Sequence, residues 1–222
     1  MTVVSAAVSP LTAAPSELRL RDGTRVLVRP IRPEDRDRLQ AGLQQLSAAS
    51  RYHRFHAAVS ELSPEQLRYL TEVDQVNHLA WIALDPALPG EPAAGVARCI
   101  RLSPDSHTAE VAVTVLDAYQ GRGLGTLLLG VLSLSAAAQD IRTFRAYVLE
   151  DNEAMLRIFR DLGAHVDCLD EGVYQLDIPV PEDPETLPDT PTGRVFKAVA
   201  GRTGARRHAV RQSHPPTYMK VS

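Results

Sequence analysis

With 222 residues, 44% hydrophobic and 23% charged, the chain has the size and balance of one globular domain with flanking segments. No run approaches the roughly 18 consecutive apolar residues of a membrane span, and the start of the chain lacks a basic segment and is broken at Pro10 and Pro15, so neither a membrane span nor a secretory leader is expected. The net charge of −3 hides an asymmetry: no Asp or Glu follows Asp189, while five arginines and two lysines do.

Residues 1–16 are small and apolar without periodicity and are expected to be disordered. Arg25–Ile31 alternates and predicts a first strand. Pro33-Glu34-Asp35 opens a helix, with proline and acids where a helix start favours them. Leu39, Leu43 and Leu46 give it an apolar side. Ser47-Ala-Ala-Ser-Arg-Tyr-His-Arg-Phe55 predicts a short helix. Ser63 caps another that begins at Pro64. His78–Leu84 and Ala94–Leu102 flank a proline-rich loop and read as a hairpin. Thr108–Leu116, rich in valine, predicts a buried central strand.

Gln120-Gly121-Arg122-Gly123-Leu124-Gly125 follows, and Thr126–Gln139 then suits a helix. Thr143–Leu149 is a further strand. Asn152 leads into a helix ending at Leu162, with Gly163 as its stop. Val166–Leu169 and Val173–Ile178 form a second hairpin about Asp170-Glu171-Gly172. From residue 181 prolines recur and acids give way to basics, so residues 181–222 read as a mostly disordered tail. A solvated tail is the plainer expectation, ahead of a nucleic-acid contact. The element order predicts an α/β fold of the α+β type: a mixed, mostly antiparallel sheet with helices on both faces, over residues 17–180. Cys99 and Cys168, the only cysteines, lie in apolar contexts and read as reduced thiols of a cytoplasmic protein. No Cys or His spacing suits a metal.

Strand, glycine-rich turn and helix together make an anion site. The first amides of a helix lack internal partners and carry the positive end of its dipole, and glycines let the backbone approach a phosphate. A Walker loop would need Gly-Lys-Ser/Thr, and Gly125-Thr126 has no lysine before it. A dinucleotide fingerprint would need Gly-x-Gly-x-x-Gly with a later acid, and the spacing here is Gly121-x-Gly123-x-Gly125.

The pattern Gln-x-x-Gly-x-Gly instead resembles the acetyl-CoA loop of the GCN5-related N-acetyltransferases (the GNAT family). The resemblance continues downstream in Asn152-Glu-Ala-Met-Leu-Arg-Ile-Phe-Arg-Asp-Leu-Gly163, similar to the family's next helix, and upstream in Arg-Pro-Ile-Arg-Pro-Glu-Asp35. The Ser-x-x-Ser-x-Tyr-x-Arg-Phe run and Ala-Glu-Val-Ala-Val-x-Val resemble the Pat-like branch of bacterial protein-lysine acetyltransferase domains. What this implies is acetyl-CoA as co-substrate, without a metal. Gln120, Gly121, Arg122, Gly123, Leu124, Gly125 and Thr126 would hold its pyrophosphate. Val113, Thr114 and Val115 would offer backbone to the pantetheine arm, and Asn152 would lie nearby. Tyr52, Arg54 and Phe55 could wall the acceptor pocket or merely pack the core. The ligand-sensing domain that accompanies some Pat-like proteins is not expected within this length.

Transfer to an amine requires a neutral amine, and lysine-like amines with a pKa of about 10.4 are protonated at neutral pH. Glu110, the only acid in Thr108–Leu116, is the candidate general base, and the Pat-like resemblance implies the same role. Many family members carry a Tyr seven residues after the Asn as general acid. Phe159 stands there and has no proton to give, which leaves the general acid unassigned: a thiolate of pKa about 8.5 could leave without strong assistance, or Tyr147 or another residue could serve. The expected acceptor is a protein lysine. A small amine is the alternative, and so is a non-catalytic acyl-CoA-binding module.

Overall fold

Alternation and β-branching at these positions build one sheet, and the computed structural model describes it over residues 15–55, 57, 59–168 and 172–202. Residues 1–14, 169–171 and 203–222 lie outside the described residues, and with them most of the expected N-terminal segment, the second hairpin's turn and the end of the basic tail. Among the described residues the strands are β1 (Ser16–Arg19), β2 (Arg25–Pro30), β3 (His78–Leu84), β4 (Ala93–Arg101), β5 (Thr108–Val115), β6 (Thr143–Leu149), β7 (His165–Cys168) and β8 (Val173–Pro179). They run in the order β1-β2-β3-β4-β5-β6-β8-β7. Every neighbouring pair is antiparallel except β5 and β6. This is the mixed, mostly antiparallel sheet that the sequence predicts.

The helices are α1 (Arg36–Gln45), α2 (Ala48–Phe55), α3 (Pro64–Thr71), α4 (Leu124–Ala138), α5 (Glu153–Asp161) and α6 (Pro191–Arg202). Side chains alternate along a strand, and the two faces of the sheet are covered differently. Gly95 on β4 faces α4: a Cβ there would lie 3.2 Å from Leu128 Cδ1. Val96 and Arg98 face the other way, toward α1 and α3. Ser63 caps α3, accepting from the Gln66 amide at 3.1 Å, while Gln66 Oε1 accepts from the Ser63 amide.

The Arg-Pro-Ile-Arg-Pro-Glu-Asp35 run is an architectural pin. Arg29 donates twice to Asp35, at 2.7 Å each, and Asp35 is fully buried. Burial would raise the Asp35 carboxyl, but the Arg29 guanidinium and the Arg32 amide outweigh it and hold it below its usual range.

The C-terminal stretch departs from expectation. The disordered tail expected from residue 181 does not begin there: Pro191–Arg202 form α6, which packs on α4. Phe196 sits against Gly130, where a Cβ would come within 3.4 Å of its ring. The reason is visible in α4, whose fifteen residues carry no charge. A helix that is apolar all round must be covered on both sides; the sheet covers one side, and Phe196, Val199 and Ala200 of α6 are buried. The strand β1 also goes beyond the sequence reading.

Candidate active site

The parallel pair is where the sheet opens. β5 and β6 share only three register positions, the last joining Glu110 to Arg145. Beyond Glu110, β5 stays paired with β4 as far as Val115 opposite Gly95, while its other edge runs on without β6. A strand edge carries backbone N–H and C=O groups that need partners. This edge therefore offers a ladder to an extended ligand. Val113 and Val115 face the start of α4, within 3.8 Å and 3.6 Å of where a Cβ on Gly125 would sit.

At the end of β5 lies the glycine loop. Gly121 and Gly123 have φ of +69° and +88°, a region costly for other residues. Gly123 is the N-cap of α4. No acceptor for the amides of Gly121, Arg122 and Gly123 occurs among the described residues, and the first amides of α4 are orphaned by helix geometry. These donors converge at the positive end of a fifteen-residue helix, which suits a phosphate.

The seam and the loop open into one cleft of about 870 Å³. Val113, Thr114, Val115, Gln120, Gly121, Gly123, Leu124, Gly125, Thr126 and Asn152 all line it, joined by Arg54. Arg122 does not. Its guanidinium donates to Asp22 at 2.6 Å, to Thr24 and to Ala118 O, and lies over the Tyr119 ring. The cation at the loop is Arg21, whose backbone amide donates to Arg122 O at 3.1 Å and whose side chain passes over Gly123 into the cleft. Arg21 has no ion pair among the described residues. Sequence reasoning missed it, because the β1–β2 turn meets the loop from about 100 residues away in the chain.

The Ser-x-x-Ser motif acquires a purpose here. The Ser47 amide donates to Asp117 at 2.7 Å, the Ser50 hydroxyl donates to the same carboxylate, and Gln120 Nε2 donates to Ser50 Oγ, Asp117 Oδ1 and Val115 O. The Ser50 hydrogen bond leads the interactions that hold Asp117 below its usual range. This network ties the start of α2 to the end of β5 and sets α2 across the cleft. Arg54 and Phe55 of α2 line a second, smaller recess, while Tyr52 points outward at 52% exposure and lines neither. His53 approaches Asp151 across the cleft, at 3.1 Å.

Glu110 is exposed at the vertex of the seam. By alternation it shares a face with Ala112 and Thr114, the face that α2 approaches. Arg54 is its electrostatic neighbour. The positions considered for a general acid stand apart from the reacting end. Phe159 is 2% exposed in the core, and Tyr147 lies outside the cleft. Tyr119 lines the cleft, but its hydroxyl donates to buried Asp85 at 2.6 Å, and burial with this bond pushes its pKa up to about 12. Cys99 is fully buried and pushed up to about 12 by that burial, so it is not a poised nucleophile. No group of three or more metal-binding side chains occurs among the described residues.

A glycine loop at the end of β5 and a helix led by Asn152 are what the sequence resemblance led one to expect; the split of the parallel pair is added by the structure. Residues 25–165 match the family described as Acetyltransferase (GNAT) domain. The chain belongs to the GNAT acetyltransferase family. Acetyltransferase Pat of Mycolicibacterium smegmatis is 37% identical over 194 residues, covering 84% of this chain and 57% of that protein. Acetyltransferase PA5475 of Pseudomonas aeruginosa is 33% identical over 65% of this chain and 77% of that protein. Among solved structures, the GNAT domain of S. lividans PAT superposes with a TM-score of 0.68 at 32% identity, over 74% of this chain and 96% of that one. The chain thus spans little more than half of the Mycolicibacterium relative and nearly all of the isolated GNAT domain. No helix among the described residues is long and apolar enough to cross a membrane.

Proposed function

We infer that this GNAT chain moves an acetyl group from acetyl-CoA directly to a primary amine, the lysine side chain of a protein being the acceptor class. The observation that carries the reading is the seam: a strand edge released from its parallel neighbour and ending in a loop of unpaired amides. Acetyl-CoA, when bound, supplies the acyl group as a thioester. The amides of residues 121–126, with Arg21, would hold the pyrophosphate. The backbone of Val113, Thr114 and Val115 would receive the pantetheine amides as an added strand would. The side chain of Asn152 accepts from the Met155 amide and so caps α5, which keeps that wall of the cleft in position.

Glu110 is the residue for the proton. Its carboxylate takes a proton from the incoming ammonium, directly or through water, and so yields the neutral amine that can attack. An N–H on the open edge of β5 would donate to the oxygen where negative charge develops. Arg54 is the cation facing Glu110. Cys99 is buried, so the amine itself would attack the thioester carbonyl; the C–S bond would break and CoA would leave as a thiolate, whose pKa of about 8.5 makes it a competent leaving group. The protein acceptor is what the resemblance to the Pat-like branch implies, carried by the likeness to the Pat relatives, and a cytoplasmic setting accords with a reduced, buried Cys99.

The test is CoA release from acetyl-CoA with lysine peptides, intact proteins and small amines, comparing wild type with Glu110→Gln. Acceptor-dependent release that falls at least tenfold in the variant, about 1.4 kcal/mol of barrier, with acetyl-CoA affinity retained, is the expected result. Equal rates in both proteins would remove Glu110 as the base. Tight CoA binding without turnover on any acceptor would make the chain a binding module.

A further inference from the structure

Beside the cleft lies the smaller recess, of about 70 Å³, between the sheet and α1–α3. The two adjoin at Leu46, Arg54 and Thr114, which line both. The recess is mostly apolar, yet three guanidiniums border it. Arg38 is committed elsewhere: it donates to Glu91 O at 3.0 Å and Gly90 O at 3.1 Å, and pairs with Asp35. The other two are not.

Arg98 is 95% buried, at 5% exposure. Its Nη1 donates to Leu70 O at 3.2 Å and meets His78 Nε2 at 3.2 Å. Among the described residues its Nε and Nη2 donate to no atom, and no carboxylate pairs with it. Arg54 lies close enough to repel it and likewise has no ion pair among the described residues. Among the described residues the only carboxylate acting on Arg54 is Glu110, from beyond ion-pair distance. His78 adds no negative charge. A buried cation without a counter-charge such as Arg98 is costly, and the half-buried Arg54 beside it adds repulsion. An anion entering the recess would remove both penalties at once. A planar guanidinium with open N–H groups matches a carboxylate in two-point geometry.

We propose that Arg98 and Arg54 form a carboxylate subsite of the acceptor pocket, so that this enzyme prefers amines carrying a carboxylate within reach of the reacting nitrogen. The proposal rests on the acetyltransferase reading for its turnover consequence, though not for binding. The apolar walls of Leu39, Leu43, Phe55 and Leu70 would receive the aliphatic chain between the two groups. The carboxylate has two sources, a small amino acid or an acidic residue beside the acceptor lysine.

The experiment pairs acceptors that differ only in that charge. Lysine is set against lysinamide, and lysine peptides with a neighbouring Glu against the same peptides with Gln. kcat/KM is measured for the full chain as wild type, Arg98→Gln, Arg98→Lys and Arg54→Gln. In parallel, thermal melting is followed with 6-aminohexanoate and with its amide. The expected result is at least a tenfold preference for the acid in one arm, carried mainly by KM. Both glutamine variants should bring it near unity, and Arg98→Lys should restore part of it. The arm that shows the preference identifies the source. Stabilisation by 6-aminohexanoate but not by its amide, lost in Arg54→Gln, would uphold the subsite even if no acceptor turned over, and then only the transferase reading would fall. Turnover indifferent to the charge in both arms overturns the proposal, as does a preference that survives both glutamine variants. Absence of both turnover and differential stabilisation overturns it as well.

Discussion

Arg29 and Arg98 are both buried, at 8% and 5% exposure, and both sit on strands of the same sheet. Arg29 meets a carboxylate in two-point geometry, and that carboxylate also accepts from the Arg32 amide at 2.9 Å. Arg98 meets a carbonyl and a neutral imidazole. Burial of a charge therefore says little until its partner is known. The first arginine completes a pin between β2 and the start of α1. The second leaves a positive recess beside the seam. A fold keeps an unsatisfied charge only at a cost, so the place where it is kept is informative.

The comparison breaks hardest at Asp35. Asp35→Asn strands Arg29 and should destabilise the chain by about 3–5 kcal/mol, read from urea unfolding at neutral pH. The folded carboxyl is held below its ordinary value of 3.8. Its contribution is therefore complete above that value and is lost as pH falls through the lower folded one. The gap between wild type and variant should narrow in acid. Arg98→Met is the counterpart. Removing a cation that lacks a counter-charge should leave stability within about 1 kcal/mol of wild type. A loss matching that of Asp35→Asn would make the two sites alike and dissolve the contrast.

His78 sharpens it through pH. Burial and the Arg98 charge, against a weaker pull from Asp74, push its pKa down from 6.5 to about 4. Between those values the unfolded chain binds a proton that the folded chain excludes. Stability should fall as pH drops through that window, and His78→Gln should flatten this part of a melting-temperature profile. The smallest effect is expected at Ser50. Ser50→Ala removes one link between α2 and Asp117, about 1 kcal/mol. Because α2 carries Arg54, the variant should raise acceptor KM more than it lowers kcat.

What was legible in the sequence is what local pattern controls. The strands β3, β5 and β6, the cap at Ser63 and the glycine loop follow from alternation, capping and composition. Gly123 was legible as a cleft residue for the same reason, and Asn152 through the family resemblance. Arg122 was expected in the loop that holds the pyrophosphate; its amide has no acceptor among the described residues, while Asp22 and Thr24, brought over by the β1–β2 turn, claim its side chain. Arg21 and Arg98 gave no local signal, since the first depends on that turn and the second on the register that sets it opposite Ala112 and Ala80. The α6 helix had a signal that went unread. Val195, Phe196, Val199 and Ala200 repeat at helical spacing, behind a run of prolines that suggested a tail. The uncharged length of α4 was the other half of that signal, because it called for a cover.

That cover has a practical consequence for anyone dividing the chain. The family match ends at residue 165, but the folding unit does not. β8 enters the sheet between β6 and β7, and α6 shields the far side of α4. A fragment trimmed to the matched span would bare the backbone edge of β6 and a greasy helix flank together. Two such surfaces on one small body favour self-association over solubility, so the shortest stable version of this protein should extend through Arg202.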